Sequence, residues 1–320
     1  MTQCALGTNP GAAATVVAPL SRKALGPYRL LKELGQGGMA RVYLAEHELL
    51  RRRVAIKTLL PQFAGFPLAR DMFVCEARIA GMIRHANLVP VYDFIDDPVE
   101  GPYYVMEYTP GETLAARLGR GRPPLSQCFD IAIHVADALA AVHAAGYLHR
   151  DIKSENVLLT LDGRRIVPKL IDFGIAKPIA SDGDEPMGIV GTPRTMSPEQ
   201  VAQESIDERA DIWAMGVLMY EMLAGTLPFP SGSTMRDDLV AIVTEPHQPL
   251  PEILATDLRA IVDACLAKEP SDRPESAAVL AHRLRAARAS YLDQHDLIER
   301  ALVADEAWTV IAELEAELAA

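Results

Sequence analysis

The stretch His149-Arg150-Asp151-Ile152-Lys153-Ser154-Glu155-Asn156, followed by Asp172-Phe173-Gly174, constrains this 320-residue chain more than any other feature. It sets out a candidate base, a cation and two oxygen ligands for a metal at fixed spacing, so a fold that uses them must bring them together. Transfer of a γ-phosphoryl group to a hydroxyl is one reaction that needs such a set. It asks for little covalent chemistry from protein; the catalyst positions both reactants and neutralises charge on the phosphate oxygens. A carboxylate near the hydroxyl, an ammonium near the phosphate and metal ligands would meet those needs.

Short motifs occur by chance in a chain of this length, so the weight lies in their order. Upstream come Leu34-Gly35-Gln36-Gly37-Gly38-Met39-Ala40-Arg41-Val42, then Val54-Ala55-Ile56-Lys57, then Glu76. Glycine-rich turns also open dinucleotide-binding folds, but there the glycines run directly into a helix. Here alternating apolar residues at Tyr28, Leu30 and Leu34 precede them, and Val42, Tyr43 and Leu44 follow before a second strand-like run. The flanks predict strand, turn, strand, with backbone N–H groups free to cover phosphates; a purely structural hairpin fits the same pattern. Glu76 lies beside Phe73, Ile79, Ala80 and Ile83, whose three- and four-residue spacings predict a helix with one apolar stripe.

In this order the segments resemble the signature set of the protein kinase family. The Gly35-to-Ala40 loop and the Ser197-Pro198-Glu199-Gln200 run are similar to those of bacterial kinases of the eukaryotic-like Ser/Thr class. The resemblance covers residues 28–284 and implies an α+β, bilobal fold, with a small β-rich N-lobe over 28–108 and a larger helical C-lobe over 109–284. It further implies that Asp151 accepts the hydroxyl proton, Lys153 holds the γ-phosphate, and Asn156 with Asp172 ligates Mg2+, or Mn2+ in its place. ATP would be the co-substrate. Residues Leu34 to Val42 would cover its phosphates, Ala55 would leave room for adenine, and Lys57 would reach the α- and β-phosphates while pairing with Glu76. Backbone groups of Glu107 and Tyr108 would pair with adenine, with Met106 limiting the rear of the pocket and Glu112 facing either ribose or solvent.

Further expectations follow from the same resemblance. Thr192 would bridge Asp151 and Lys153 and favour Ser or Thr acceptors, Asp211 would cap its helix and brace the catalytic loop, and Arg273 would pair with Glu199. Ala40 stands where a full pattern has glycine, Ser197 where it has alanine and Thr195 where the class has tyrosine. No catalytic group is lost. Arg150 could meet a phosphate on the following loop, or the carboxylates of Asp184 and Glu185 in its place; a solvated acidic loop is the plainer reading of that segment.

Helix signals are clear at two places: Ser126 as a cap before a run from Cys128 through His143, and an apolar run from Ile212 to Leu223 stopping near Gly225. Residues 1–27, rich in Ala, Gly, Thr and Pro, read as a mobile tail. Residues 285–320 read as a helical extension with apolar spacing at Leu297, Ile298, Leu302, Ile311, Leu314 and Leu318. A net charge of −12 argues against general attraction to nucleic acid or anionic membrane, and Arg51-Arg52-Arg53 reads as a solvated turn. The four cysteines are too scattered for a zinc site, and the apolar runs are too short or too interrupted to span a bilayer. The expectation is a cytoplasmic protein with reduced thiols that phosphorylates Ser/Thr of protein substrates, itself included; nothing in the pattern sets an oligomeric state. A pseudokinase or scaffold that binds nucleotide without turnover is the main alternative, and a small-molecule phosphotransferase a second.

Overall fold

A computed structural model of the chain describes residues 24–163, 165–172, 177–178, 193–229, 232 and 234–293. The small lobe is a six-stranded antiparallel sheet in the order β1-β2-β3-β4-β6-β5. Its strands are β1 (Ala24–Leu25), β2 (Tyr28–Gln36), β3 (Ala40–His47), β4 (Arg53–Leu59), β5 (Val91–Asp97) and β6 (Gly101–Glu107). One helix, α1 (Pro67–Met82), crosses between β4 and β5. Composition predicts a mobile tail up to residue 27, but Ala24 and Leu25 pair with Arg29 and Tyr28, and Leu25 is buried among Leu30, Tyr43, Val54, Ile56, Tyr103 and Val105. A two-residue strand carries too little periodicity to be seen in sequence; the apolar face of the sheet captures it.

Register divides the sheet's two faces. Tyr43, Ala45, Val54, Ile56, Tyr103 and Val105 form the outer core. On the opposite face Val42, Lys57 and Tyr104 align across three strands, as do Leu44, Ala55 and Met106. Because strand side chains alternate with period two, this places Lys57 and Ala55 on the side that α1 covers. There Phe73 and Ala77 of the helix pack with Leu59 and Tyr104, so the apolar stripe predicted from spacing is the face that brings Glu76 inward.

The large lobe is built on buried helices. These follow β7 (Gly111–Thr113) and include α2 (Leu114–Leu118) and α3 (Leu125–Ala144); then come β8 (Tyr147–Leu148), β9 (Val157–Asp162), β10 (Arg165–Leu170) and β11 (Lys177–Pro178). The remaining helices are α4 (Pro198–Ala202), α5 (Arg209–Ala224), α6 (Met235–Thr244), α7 (Thr256–Cys265) and α8 over residues 277–293. α3 is long and apolar enough to cross a membrane by length and composition, yet it is the core helix here, packed against α5 through Phe129, Ile131, Val135, Leu139 and Val142. Its start differs from expectation: Pro124 precedes the helix and Ser126 lies within the first turn, making no cap. Similarly α5 begins at Arg209, which puts Asp211 inside its first turn instead of at the cap, while Gly225 ends it at φ 78° as the sequence predicts.

Two features tie the large lobe together. β7 pairs with β9, and at Gly111 an added Cβ would lie 2.4 Å from the Leu159 carbonyl oxygen. Gly111→Ala is therefore expected to destabilise the protein by about 1–3 kcal/mol, measured by urea unfolding, because backbone on both sides must shift. α8 runs past residue 284 without a break: Arg285 and Arg288 pair with Asp137 and Asp130 of α3, and Tyr291 lies against Phe129 at 5.8 Å. The first part of the expected extension is thus a packed helix of the lobe. Leu297 to Leu318 lie outside the described residues.

Candidate functional site

Lys57, Glu76 and Asp172 meet in the cleft between the lobes. Lys57 Nζ is 2.5 Å from Glu76 Oε1 and 2.7 Å from Asp172 Oδ1, linking β4, α1 and the segment after β10. Tyr104 O–H donates to the same Glu76 oxygen at 2.6 Å. Two carboxylates share one ammonium, and the balance of burial against charge and hydrogen bonds sorts them. Burial pushes the Glu76 carboxyl up, to about 7, against the pull of Lys57 and with the help of the Asp172 charge. Burial also acts to raise Asp172, but the Lys57 charge and hydrogen bonds from Lys57 and Glu76 hold it at about 2. Lys57 is raised: desolvation opposes its charge, and both carboxylates outweigh it.

The linkage gives a testable sign. A group whose folded pKa lies above its unfolded value contributes stability below the unfolded value and loses it as pH rises through the folded one. Glu76 moves from an ordinary 4.5 to about 7, so wild type should lose stability relative to Glu76→Gln as pH rises through that window. Unfolding free energies of the two proteins on either side of the window check this; parallel pH curves would contradict it.

The second cluster lies on the loop between β8 and β9. Asn156 Nδ2 donates to the Asp151 carbonyl and to Asp151 Oδ2, both at 2.8 Å, and Lys153 Nζ is 2.8 Å from Asp151 Oδ2. Asp151 is buried, as is Asn156. Ile171 N–H donates to the Asn156 carbonyl at 2.8 Å, which ties Asp172 beside Asn156. Since its amide nitrogen is spent on Asp151, the Asn156 amide oxygen is turned away from that carboxylate. That amide oxygen and the Asp172 carboxylate are oxygen donors of the kind Mg2+ uses alongside water and phosphate oxygens, so the chemistry of the residues present fits that ion.

Asp211 anchors this loop from below. Its Oδ2 accepts from His149 N–H at 2.8 Å, its Oδ1 from Arg150 N–H at 2.7 Å, and His143 Nε2 lies 2.8 Å from Oδ2. Bracing of the loop by Asp211, expected from sequence, is present. Burial acts to raise its carboxyl, and the His143 bond and nearby histidine charge keep it below the usual range. Arg150 and Asp172 hold φ of 64° and 70°, a left-handed conformation that non-glycine residues seldom adopt and that clusters at functional sites.

The hairpin and the end of β6 are equally defined. β2 and β3 form a hairpin around Gly37-Gly38-Met39, closed by Gly37 N–H to the Ala40 carbonyl at 2.8 Å and by Arg41 to Gln36 Oε1. Ala40 is an ordinary buried strand residue paired with Leu59. Gly35, Gly37 and Gly38 all have φ outside the left-handed region, and a Cβ on Gly35 or Gly38 would meet nothing within 4 Å. These glycines answer no demand of the protein's own packing; they leave room above the cleft. Leu34 is exposed, Val42 lies in the row with Lys57, and Ala55 is buried opposite Met106. Glu107 ends β6, where its carboxylate accepts from Lys169 at 2.7 Å and Thr109 at 2.8 Å, with Tyr108 just beyond. Glu112 is engaged with both oxygens by Arg120 at 2.6 Å.

Phe173, Gly174, Asp184, Glu185 and Thr192 lie outside the described residues. Ser197 N–H and hydroxyl both donate to Gln200 Oε1, which opens α4. Glu199 is joined to Arg273 by two bonds of 2.7 and 2.8 Å, as expected. Tyr104 and Lys169 were not foreseen as parts of the site. A tyrosine or lysine in a strand carries no signal alone; only the register opposite Lys57 gives Tyr104 its place. Among the described residues Cys75, Cys128 and Cys265 lie outside any disulfide, and burial raises Cys128 to about 11 and Cys265 to about 12.

A curled antiparallel sheet over a helical lobe, with these two polar clusters facing one cleft, defines a protein kinase domain. The sequence pattern of that domain matches residues 28–284, and the chain belongs to the protein kinase family. It is 37% identical to the serine/threonine-protein kinase Pkn1 of Myxococcus xanthus over 284 residues, covering 86% of this chain and 40% of that protein. It is 34% identical over 270 residues to PknA of Mycobacterium tuberculosis, covering 82% and 62%. A probable serine/threonine-protein kinase of Streptomyces coelicolor is 38% identical over 266 residues, covering 80% and 39%. The chain thus spans between about two fifths and three fifths of the length of these relatives.

Proposed function

We propose that this protein is an ATP-dependent serine/threonine protein kinase that transfers the γ-phosphoryl group to hydroxyls of protein substrates, including its own, in the cytoplasm. The observation that carries this reading is the joining of Lys57, Glu76 and Asp172 within 2.5–2.7 Å, while Asp151, Lys153 and Asn156 are joined on the neighbouring loop, which the Ile171–Asn156 bond ties to Asp172. In this reading Lys57 holds the α- and β-phosphates, the open glycine turn lies over them, and backbone groups of Glu107 and Tyr108 pair with adenine. Asn156 and Asp172 hold Mg2+, which when bound neutralises charge on the phosphate oxygens. Asp151 takes the proton of the attacking hydroxyl, oriented by Asn156 Nδ2. Lys153, already beside Asp151, offers its ammonium to the γ-phosphate.

The test is transfer of labelled phosphate from ATP to generic Ser/Thr-containing proteins and to the protein itself, with and without Mg2+. Label on Ser or Thr, abolished by chelation, is the expected result. Nucleotide binding without any transfer would overturn the enzyme reading in favour of a scaffold, and transfer to small alcohols in preference to peptides would overturn the choice of substrate.

A further inference from the structure

The turn between β3 and β4 carries a combination that the kinase site does not use. Leu49 and Leu50 stand at its tip, 88% and 71% exposed, and Arg51, Arg52 and Arg53 follow directly, all exposed. A single exposed leucine needs no explanation, but two adjacent ones at the convex end of a hairpin, edged by three arginines, form a wedge with a basic collar.

The backbone N–H groups of the wedge already have partners within the lobe. His47 N–H donates to the Arg52 carbonyl, Glu48 N–H to the Pro27 carbonyl and Arg51 N–H to the His47 carbonyl, each at 2.9 Å. Leu49 and Leu50 N–H both point to His47 Nδ1, at 3.3 and 3.2 Å. That arrangement requires the tautomer with hydrogen on Nε2, and the ring is fixed edge-on against Tyr28 at 5.1 Å. A tip whose donors from His47 to Arg51 all have partners can leave water without stranding an N–H, the main obstacle to placing irregular backbone in an apolar medium.

We propose that this tip is a peripheral docking site for an anionic phospholipid bilayer, with Leu49 and Leu50 entering the headgroup boundary and the arginines meeting lipid phosphates. Three observations select this partner. Leu49 and Leu50 protrude, 88% and 71% exposed, and a fluid headgroup region closes around such a pair without a preformed pocket. The local charge is basic: Arg29, Arg51, Arg52 and Arg53 surround the tip against Glu46 and Glu48, and Glu46 is already shared by Arg29 at 3.3 Å and Arg51 at 3.2 Å. The −12 net charge of the chain does not decide the matter, because beyond a Debye length of about 10 Å exposed charges are screened. Arg52 is held in place over the Tyr92 ring at 4.2 Å. The site also leaves the cleft accessible, since the eight residues of β3 separate this turn from the glycine turn by about 26 Å. One small apolar wedge with a basic collar gives weak, reversible association.

The experiment is co-sedimentation of the full chain with vesicles of phosphatidylcholine alone and of phosphatidylcholine with phosphatidylglycerol, at low and high salt. The expected result is binding to the anionic vesicles at least tenfold stronger than to the neutral ones and weakened by salt. Leu49→Ser/Leu50→Ser should lose at least tenfold of it while keeping the unfolding midpoint and nucleotide affinity of wild type. Equal binding to both vesicles, or undiminished binding by the double variant, would overturn the proposal. So would failure to bind vesicles together with binding, through these leucines, of a synthetic peptide of the acidic segment 294–320, which would assign the tip to a protein partner. None of these readouts depends on phosphate transfer.

Discussion

Asp151→Asn should lower phosphoryl transfer by roughly 10²–10⁴-fold, the range for a positioned general base, while leaving nucleotide affinity close to wild type. The substitution keeps size and removes charge, but its effect is not confined to the lost base. Asp151 Oδ2 accepts from Asn156 and its Oδ1 from Lys153, and Asn offers one acceptor where the carboxylate offered two. Either its amide nitrogen faces the Lys153 ammonium or it faces the Asn156 amide, donor against donor. The loss should therefore fall on kcat, measured by single-turnover transfer to a peptide, with KM for ATP little changed, because in the proposed reading Asp151 acts on the acceptor side. A fall of less than tenfold would remove Asp151 from the role of base.

The largest effect on stability is expected from Arg273→Met. Arg273 is 4% exposed and its guanidinium grips Glu199 with two bonds, while also donating to the carbonyls of Ala267, Lys268 and Arg209 at 2.8–2.9 Å. Its guanidinium carbon lies 5.1 Å from the centre of the Trp213 ring. Removing the cation leaves a buried carboxylate without a partner, a change that costs about 3–5 kcal/mol, a large part of the 5–15 kcal/mol that holds a domain of ordinary stability together. Urea unfolding should show the loss as a lower midpoint. Glu199→Gln added to Arg273→Met should recover part of it, because the stranded charge is gone, though three carbonyls still lack their donor. A double variant no more stable than the single one would mean that the pair is not coupled.

How far these sites were legible depended on whether the signal was local. The Asp151–Asn156 loop spans six residues, so its spacing alone predicts a single cluster, and the glycine turn announces its hairpin through the alternation on either side. Glu76 was readable because its helix has a stripe. In contrast, helix starts at Leu125 and Arg209 were misplaced by a few residues, since Ser126 and Asp211 resemble caps but packing of α3 and α5 in the large core starts each helix earlier. β1 had no periodicity to read, and its capture depends on an apolar sheet face assembled from strands far along the chain.

Sequence by itself determined the family, the hairpin over the cleft and the identities of the charged groups, because each rests on residue type and short spacing. Tertiary structure alone decided that Asp172 joins the expected Lys57–Glu76 pair, that Tyr104 bonds the same carboxylate, and that Glu76 is raised while Asp172 is held low. Those outcomes depend on strand register and on desolvation, and both are properties of segments brought together from 19 to 115 positions apart. No pattern within one segment encodes the dielectric it will meet in the others.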